Sequence, residues 1–126
     1  ITDSAKINRL FHTIYDSLKT GGCFFFDILS IWGMKRMWGN DSFIEYYDDF
    51  HINWYSKWNN EKQLLKVTMK IVSEREKITE SFYEKGYPKN SIVEKLESTG
   101  FNVRTVTPIF FFKKKPSRYI FWCEKV

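Results

Sequence analysis

The first thirty residues constrain the fold most, because an amphipathic helix over residues 2–19 leads through two glycines into a short apolar strand at 23–27. The helix carries one apolar stripe, made by Ile7, Leu10, Phe11, Ile14 and Leu18. Gly21 suits the left-handed position that ends a helix, and Gly22 releases the chain into the strand. A continuous apolar run predicts a strand covered on both faces, as in α/β sheets. We therefore predict an α/β protein whose first helix packs on a sheet.

The middle of the chain predicts a different architecture. A short helix spans residues 31–38, and the Gly-Asn-Asp sequence at 39–41 ends it. Apolar and polar residues then alternate in segments that start near Phe43, Phe50, Leu65 and Ile78. Sequential alternating strands with short turns form an antiparallel meander that has one buried and one wet face.

The last forty residues return to helix and strand. Pro88 opens a helix that ends at Gly100, and the apolar residues that follow predict a strand leading to Pro108. A second apolar run at 119–123 is continuous, which predicts a strand in the centre of the sheet.

Composition narrows the class of protein. With 126 residues, 43% hydrophobic and 28% charged, the chain is one globular domain or part of one. Cys23 and Cys123 lie in apolar runs and predict buried free thiols in a reducing cytoplasm. The sequence has no CxxC pair and two histidines, so we predict no metal site. No apolar stretch approaches the roughly eighteen residues of a membrane span, so no membrane partner is predicted.

A net charge of +5 and an aromatic content of 19% favour one alternative, a stand-alone α+β module that binds RNA or a protein. The three lysines at 113–115, after three phenylalanines at 110–112, are a candidate phosphate contact, although a solvated loop is the simpler interpretation. Basic residues are otherwise spread along the chain, which disfavours a nucleic acid partner.

Three motifs, in order, carry a family resemblance. LKTGG at 18–22 leads to FFDI at 25–28, STGF stands at 98–101, and RYIFWCEK closes the chain at 118–125. This series resembles the C-terminal half of a class I S-adenosylmethionine-dependent methyltransferase of the small-molecule type. Thr20 replaces the family's usual proline, but both glycines are kept.

The resemblance implies a partial Rossmann-like methyltransferase fold. Residues 1–30 and 86–126 would form its helix-strand unit, C-terminal helix and antiparallel hairpin, and residues 31–85 an inserted antiparallel sheet that covers the substrate. It implies S-adenosylmethionine as cofactor of the complete enzyme and a small-molecule methyl acceptor. The family's glycine-rich loop and ribose-binding acid have no counterpart here, so no cofactor-binding residue is carried over and none is expected to bind the cofactor in this chain alone. No catalytic residue is predicted, because methyl transfer depends mainly on alignment of donor and acceptor.

Four residues are candidates for the substrate pocket. Asp27 matches the acid at the carboxyl end of the family's fifth strand, an end that faces the ligand crevice in open α/β sheets. Its alternative role is to cap the amides of the next segment. Trp32, Tyr46 and Trp54 would line the crevice under the meander, or else pack the sheet against its helix.

The missing first strands predict a further partner. An open sheet edge and an uncovered stripe of Ile7, Leu10, Phe11 and Ile14 would seek cover. The chain starts at a helix cap without a methionine, so we expect a fragment that self-associates or binds the missing N-terminal half.

Overall fold

A computed structural model describes residues 3–110 and 114–126, apart from the side chain of Met37. Thr2 and most of the predicted lysine and phenylalanine run, residues 111–113, lie outside the described residues. The elements are α1 (Ser4–Ser17), β1 (Cys23–Leu29), α2 (Ile31–Trp38), β2 (Asn40–Tyr46), β3 (Phe50–Asn59), β4 (Leu64–Ser73), β5 (Lys77–Lys85), α3 (Lys89–Thr99), β6 (Asn102–Ile109) and β7 (Arg118–Glu124).

The first helix is shorter than predicted at both ends. Asp3 is the N-cap, with its Oδ1 accepting a hydrogen bond from the Ala5 amide at 2.9 Å. Gly21 has a φ of 85°, the left-handed conformation predicted for it. The Gly21 amide donates to the Lys125 carbonyl at 2.6 Å, so the turn after α1 is held against the end of β7.

A three-stranded antiparallel sheet forms the first layer, in the order β1-β7-β6. Phe24 pairs with Cys123 and Phe26 with Phe121, which confirms the central position predicted for residues 119–123. Helices α1 and α3 cover one face. The core between them contains Ile7, Phe11, Ile92, Leu96, Phe101, Phe121 and Cys123.

The other face of this sheet is open in the part of the chain that the structure describes. Phe25 is 61% exposed and stacks on Trp122, with ring centroids 5.6 Å apart. Within the described residues, both apolar runs are therefore covered on one face, in place of the two faces predicted. Cys23, predicted to be buried, is exposed for the same reason, because alternate residues of β1 point away from α1 and α3.

The predicted uncovered helix stripe is also corrected. Ile7 and Phe11 are buried and Ile14 packs against the core, while Leu10 is 40% exposed. The stripe closes onto Phe24 and Phe26 of β1, with Phe11 and Phe26 ring centroids 5.7 Å apart. The exposed apolar surface of this layer is the outer sheet face instead.

The second layer is a four-stranded antiparallel meander in the order β2-β3-β4-β5. Its period-two alternation was readable in the sequence, although β2 begins at Asn40, before the predicted start. Helix α2 joins the two sheets. It lies so close to the last hairpin that a Cβ at Gly33 would approach the Ser117 carbonyl oxygen to 2.3 Å.

Candidate functional site

Two adjoining cavities lie where the sheets meet. The inter-sheet cavity encloses about 420 Å³ and is lined by Leu29, Trp38, Phe43, Glu45, Trp54, Leu65, Val67, Phe82, Glu84 and Arg118. The helix-side cavity encloses about 440 Å³ and is lined by Ile7, Leu10, Phe11, Phe24, Phe26, Asp27, Ile28, Leu29, Met34, Glu84, Lys85, Tyr87, Ile92 and Arg118. Leu29, Glu84 and Arg118 belong to both, so the two cavities form one cleft.

An ion pair stands at the junction of these cavities. Arg118 Nη1 donates to Asp27 Oδ2 at 2.6 Å, from neighbouring strands of the three-stranded sheet. Each side chain is about half exposed, so the pair contributes roughly 0–1 kcal/mol to stability. Its importance is positional, because it puts a carboxylate and a guanidinium at the mouth of the cleft.

Asp27 does not cap the following helix, so that alternative is wrong. Ser30 caps α2: its Oγ accepts from the Gly33 amide at 2.8 Å and donates to the Pro116 carbonyl at 2.7 Å. Asp27 instead pairs with Arg118 and lines the cleft.

Trp54 forms the floor of the inter-sheet cavity together with Phe43. The two rings are stacked, with centroids 5.9 Å apart on the neighbouring strands β2 and β3. Trp54 Nε1 is buried and has no hydrogen-bond partner among the described residues. A buried donor left unpaired costs about 1–3 kcal/mol, so this atom is a feature of the site that needs an explanation.

Glu45 lies beside these rings and has one polar partner. The Tyr47 hydroxyl donates to Glu45 Oε2 at 2.9 Å, and this hydrogen bond, followed by the charge of Glu45, raises the pKa of Tyr47. Tyr47 is exposed, so the contact orients the Glu45 carboxylate at the rim of the cleft.

The other two predicted residues lie elsewhere. Trp32 lines a separate cavity of about 230 Å³, with Tyr87 and Tyr119 among its walls. Tyr46 is 77% exposed, with its ring centroid 6.0 Å from that of His51. The structure brings Asp27 and Trp54 to one cleft and leaves Trp32 and Tyr46 outside it.

Sequence reasoning missed Arg118, Glu45 and Glu84. Each stands in or beside a strand that the sequence predicts, but the face that it occupies depends on how the two sheets meet. The usable signal was the spacing of carboxylates in phase with the apolar positions of the meander.

Charge is divided completely between the two faces of the meander. Residues that pair across an antiparallel sheet share a face, so the register assigns each side chain. The inner face, toward the cleft, carries all the carboxylates of the four strands: Asp41, Glu45, Glu80 and Glu84. The outer face carries all their lysines: Lys57, Lys66, Lys70, Lys77 and Lys85.

A groove of about 810 Å³ opens at the outer lysine face, beside the β3–β4 turn. Its walls include Lys57, Lys62, Lys66 and Tyr83. Among the described residues, Glu61 is the one carboxylate that lines it. Lys66 Nζ lies 5.9 Å from the Tyr83 ring centroid, and Lys70 Nζ lies 5.4 Å from that of Tyr55. This surface, the lysine groove, has the opposite charge to the cleft.

A metal centre and a membrane-spanning helix are two further classes of feature. Within 3–110 and 114–126, no three histidine, cysteine, aspartate or glutamate side chains are grouped so as to hold a metal ion. In the same residues, no helix has the length and apolar character needed to cross a bilayer.

The sequence matches no protein family model and no curated protein. Solved structures, in contrast, match almost the whole chain. An S-adenosylmethionine-dependent methyltransferase from Clostridium acetobutylicum has 21% identity and a TM-score of 0.78, over 98% of this chain and 52% of that one. The fold is that of S-adenosylmethionine-dependent methyltransferases.

Two other structures agree. The CcbJ methyltransferase from Streptomyces caelestis has 14% identity and a TM-score of 0.74, over 100% of this chain and 56% of that one. An S-adenosylmethionine-bound amino pentose methyltransferase from Micromonospora echinaspora has 8% identity and a TM-score of 0.65, over 97% and 51%. The chain spans about half the length of the structures it matches.

Protein atoms already occupy two junctions at which a strand leads into a helix. At the β1–α2 junction, the Gly33 amide already donates a hydrogen bond to Ser30 Oγ. At the β5–α3 junction, a Cβ on Gly86 would lie 2.9 Å from the Trp58 ring, so protein atoms already fill the space beside this glycine. That the 126-residue chain alone does not bind S-adenosylmethionine stays a prediction.

Proposed function

We propose that the chain is the substrate-side part of an S-adenosylmethionine-dependent methyltransferase that acts on a small molecule. The observation that carries the proposal is the cleft between the sheets, in a fold shared with such methyltransferases. Asp27 and Arg118 stand at its mouth, and Trp54 and Phe43 form its floor. The complete enzyme would hold the cofactor on a part outside this chain.

Two features support the proposal that the complete enzyme has a cofactor-binding part outside this chain. The outer face of the three-stranded sheet exposes Phe25, Ile120 and Trp122, and β1 is paired on one edge only among the described residues. An antiparallel sheet can keep one face in water, but large apolar side chains exposed together on that face favour a covering partner. We propose that the cofactor-binding half adds to the β1 edge and covers this face, which would make residues 31–85 an insertion over the substrate.

The acceptor is proposed to be small because the cleft is small. The inter-sheet cavity of about 420 Å³ falls in the range of small-molecule sites, which are concave and mostly apolar with a few placed polar groups. One of the similar structures is an amino pentose methyltransferase, which supports a small acceptor. Catalysis would then rest on alignment of the acceptor within the cleft.

The direct test is transfer of a labelled methyl group from S-adenosylmethionine to a panel of small amines and alcohols, by the protein expressed from its complete coding sequence. We expect transfer, and a loss of at least about tenfold for Trp54→Ala, because alignment of the acceptor is lost. Tyr55→Ala, on the opposite face of the same strand, is the matched control. If no member of the panel receives a methyl group, the proposal is contradicted.

One observation favours a second candidate function, the RNA-binding module. The lysine groove places lysines beside exposed tyrosines, and such surfaces bind single strands by phosphate contacts and base stacking. A gel shift with single-stranded RNA at increasing salt tests it, since phosphate contacts weaken steeply with salt. Tight binding at physiological salt would favour this function over methyl transfer.

A further inference from the structure

We infer that the inter-sheet cavity holds an acceptor molecule that carries a protonated amine with a hydroxyl or carbonyl oxygen nearby; the ammonium binds the molecule, and the methyl group goes to another atom of it that has a lone pair. The inference rests on the proposed function for the location of the acceptor, and it adds the chemical class. Four features of the cavity support it: aromatic walls, carboxylates without a salt bridge, a neutralised arginine and an unsatisfied indole.

Four of the ten described residues that line the cavity are aromatic. Trp54 and Phe43 are stacked on the floor, and Trp38 and Phe82 stand at the sides. The face of an aromatic ring attracts a cation within about 6 Å, and tryptophan is the strongest of these side chains. An ammonium group inside the cavity therefore lies against aromatic rings.

Carboxylates supply the countercharge. Glu45 and Glu84 both line the cavity, on the face of the meander that carries no lysine in the four described strands. Neither glutamate is in a salt bridge, since the ion pairs of the described residues are Arg104–Glu124 and Arg118–Asp27. An ammonium ion would give these two charges a partner.

Among the described residues that line the cavity, Arg118 is the one cation, and it is already engaged. Arg118 donates to Asp27 at 2.6 Å, so its charge is offset within the cleft. In the adjoining helix-side cavity, Lys85 directs its Nζ to the Lys62 carbonyl at 2.7 Å. The cleft is thus acidic in a chain whose net charge is +5, which selects for a cation by complementarity.

The unsatisfied indole indicates the oxygen. Trp54 Nε1 is buried without a partner, in a residue that lines the cavity. Because protein atoms enclose Nε1, a hydroxyl or carbonyl beside the ammonium would supply the missing acceptor only after the side chains around the indole shift. A plain alkylamine satisfies the carboxylates but leaves this donor unpaired.

Nuclear magnetic resonance on the isotope-labelled 126-residue chain tests the inference with three matched sugars. Glucosamine, glucose and glucuronate are similar in size and hydroxylation, and they differ by a positive, absent or negative charge. The probe is the indole N–H resonance of Trp54. We expect glucosamine, at a pH where its amine is protonated, to bind at least about tenfold tighter than glucose, and glucuronate to bind more weakly than glucose.

Three glutamine variants locate the charge. Glu45→Gln and Glu84→Gln should each reduce the preference for glucosamine over glucose by about threefold or more. Glu80→Gln is the control, because Glu80 shares the inner face but lines neither cavity. If all three variants lose this preference equally, the inference of a local site is overturned, because only a long-range electrostatic field would explain the preference.

Two other outcomes overturn the inference: equal binding of glucosamine and glucose, or no shift of Trp54 with any sugar. If either occurs while the complete protein still transfers methyl groups, the amine inference fails and the proposed function stands. Selective binding of glucosamine without methyl transfer would establish the cation site and contradict the methyltransferase proposal.

Discussion

The two faces of the four-stranded meander share a backbone but carry opposite charges. The inner face combines Trp54, Leu65 and all four carboxylates, whereas the outer face carries tyrosines and all five lysines. An ordinary half-buried sheet places its charges on the wet face and apolar residues on the other. Carboxylates retained on the inner face indicate a site that uses them. The comparison therefore separates a ligand-facing surface from a solvated one.

The largest difference between the faces should appear in stability. Leu65 lies on the inner face and is 1% exposed. Leu65→Ala should lower the free energy of unfolding of the protein by about 2–5 kcal/mol, because the change removes buried methyl groups and leaves a cavity. Tyr55→Ala on the outer face, where the ring is 44% exposed, should cost less than about 1 kcal/mol. Urea unfolding followed by circular dichroism measures both. Equal losses would show that the outer face is also packed.

The three-stranded sheet offers the same comparison through its two cysteines. Burial raises the pKa of Cys123 to about 11, while Cys23 is exposed on the open face. Since the thiolate is the reactive form, Cys123 should react with a thiol reagent at least about a hundredfold more slowly than Cys23 near pH 8. Its rate should rise as the pH approaches 11, as deprotonation becomes favourable. Mass spectrometry of the labelled chain reads both sites, and equal rates would contradict the assigned faces.

Charge on the outer face should produce a smaller effect. If the second candidate function holds, the double variant Lys66→Glu with Lys70→Glu should reduce affinity for single-stranded RNA by about tenfold at low salt, because two lysines available for phosphate contacts become acidic. Glu80→Lys, which adds a positive charge on the opposite face, is the comparison. Binding that both changes alter equally would mean that RNA responds to net charge alone and not to the lysine groove.

The open face of the three-stranded sheet should give the smallest change, a several-fold shift in self-association. Exposed Phe25 and Trp122 and the single-paired edge of β1 are surfaces that seek cover, so we expect the 126-residue chain to form dimers. Phe25→Lys should weaken them, whereas Leu10→Lys on the helix should not. A clean monomer at high concentration in sedimentation would contradict this use of the face.

Much of the architecture could be predicted from local pattern. The helix-glycine-strand unit, the meander and the central position of residues 119–123 depend on periodicity and turn chemistry, which neighbouring residues determine. The apolar runs of β1 and β7 were predicted to be covered twice, and the described residues cover them once. A sequence pattern reports the environment that a strand needs, and part of that environment lies outside these residues.

The site was less predictable because it is made between sheets. Asp27 and Trp54 could be proposed from motif and alternation, but their link through Arg118 depends on an antiparallel neighbour 91 positions away. Tyr46 was placed in the pocket on the same evidence as Trp54, yet the register assigns it to the outer face. Whether a strand residue faces the cleft changes with each single step along the chain.

A crystal structure of the protein from its complete coding sequence, with S-adenosylhomocysteine bound, tests the central claim most directly. The account predicts that the sulfur atom faces the cleft between the sheets, on the side of Asp27 and Trp54, with the added half packed on Phe25 and Trp122. A sulfur atom that faces the lysine groove, or an added half that leaves Phe25 and Trp122 exposed, would contradict it.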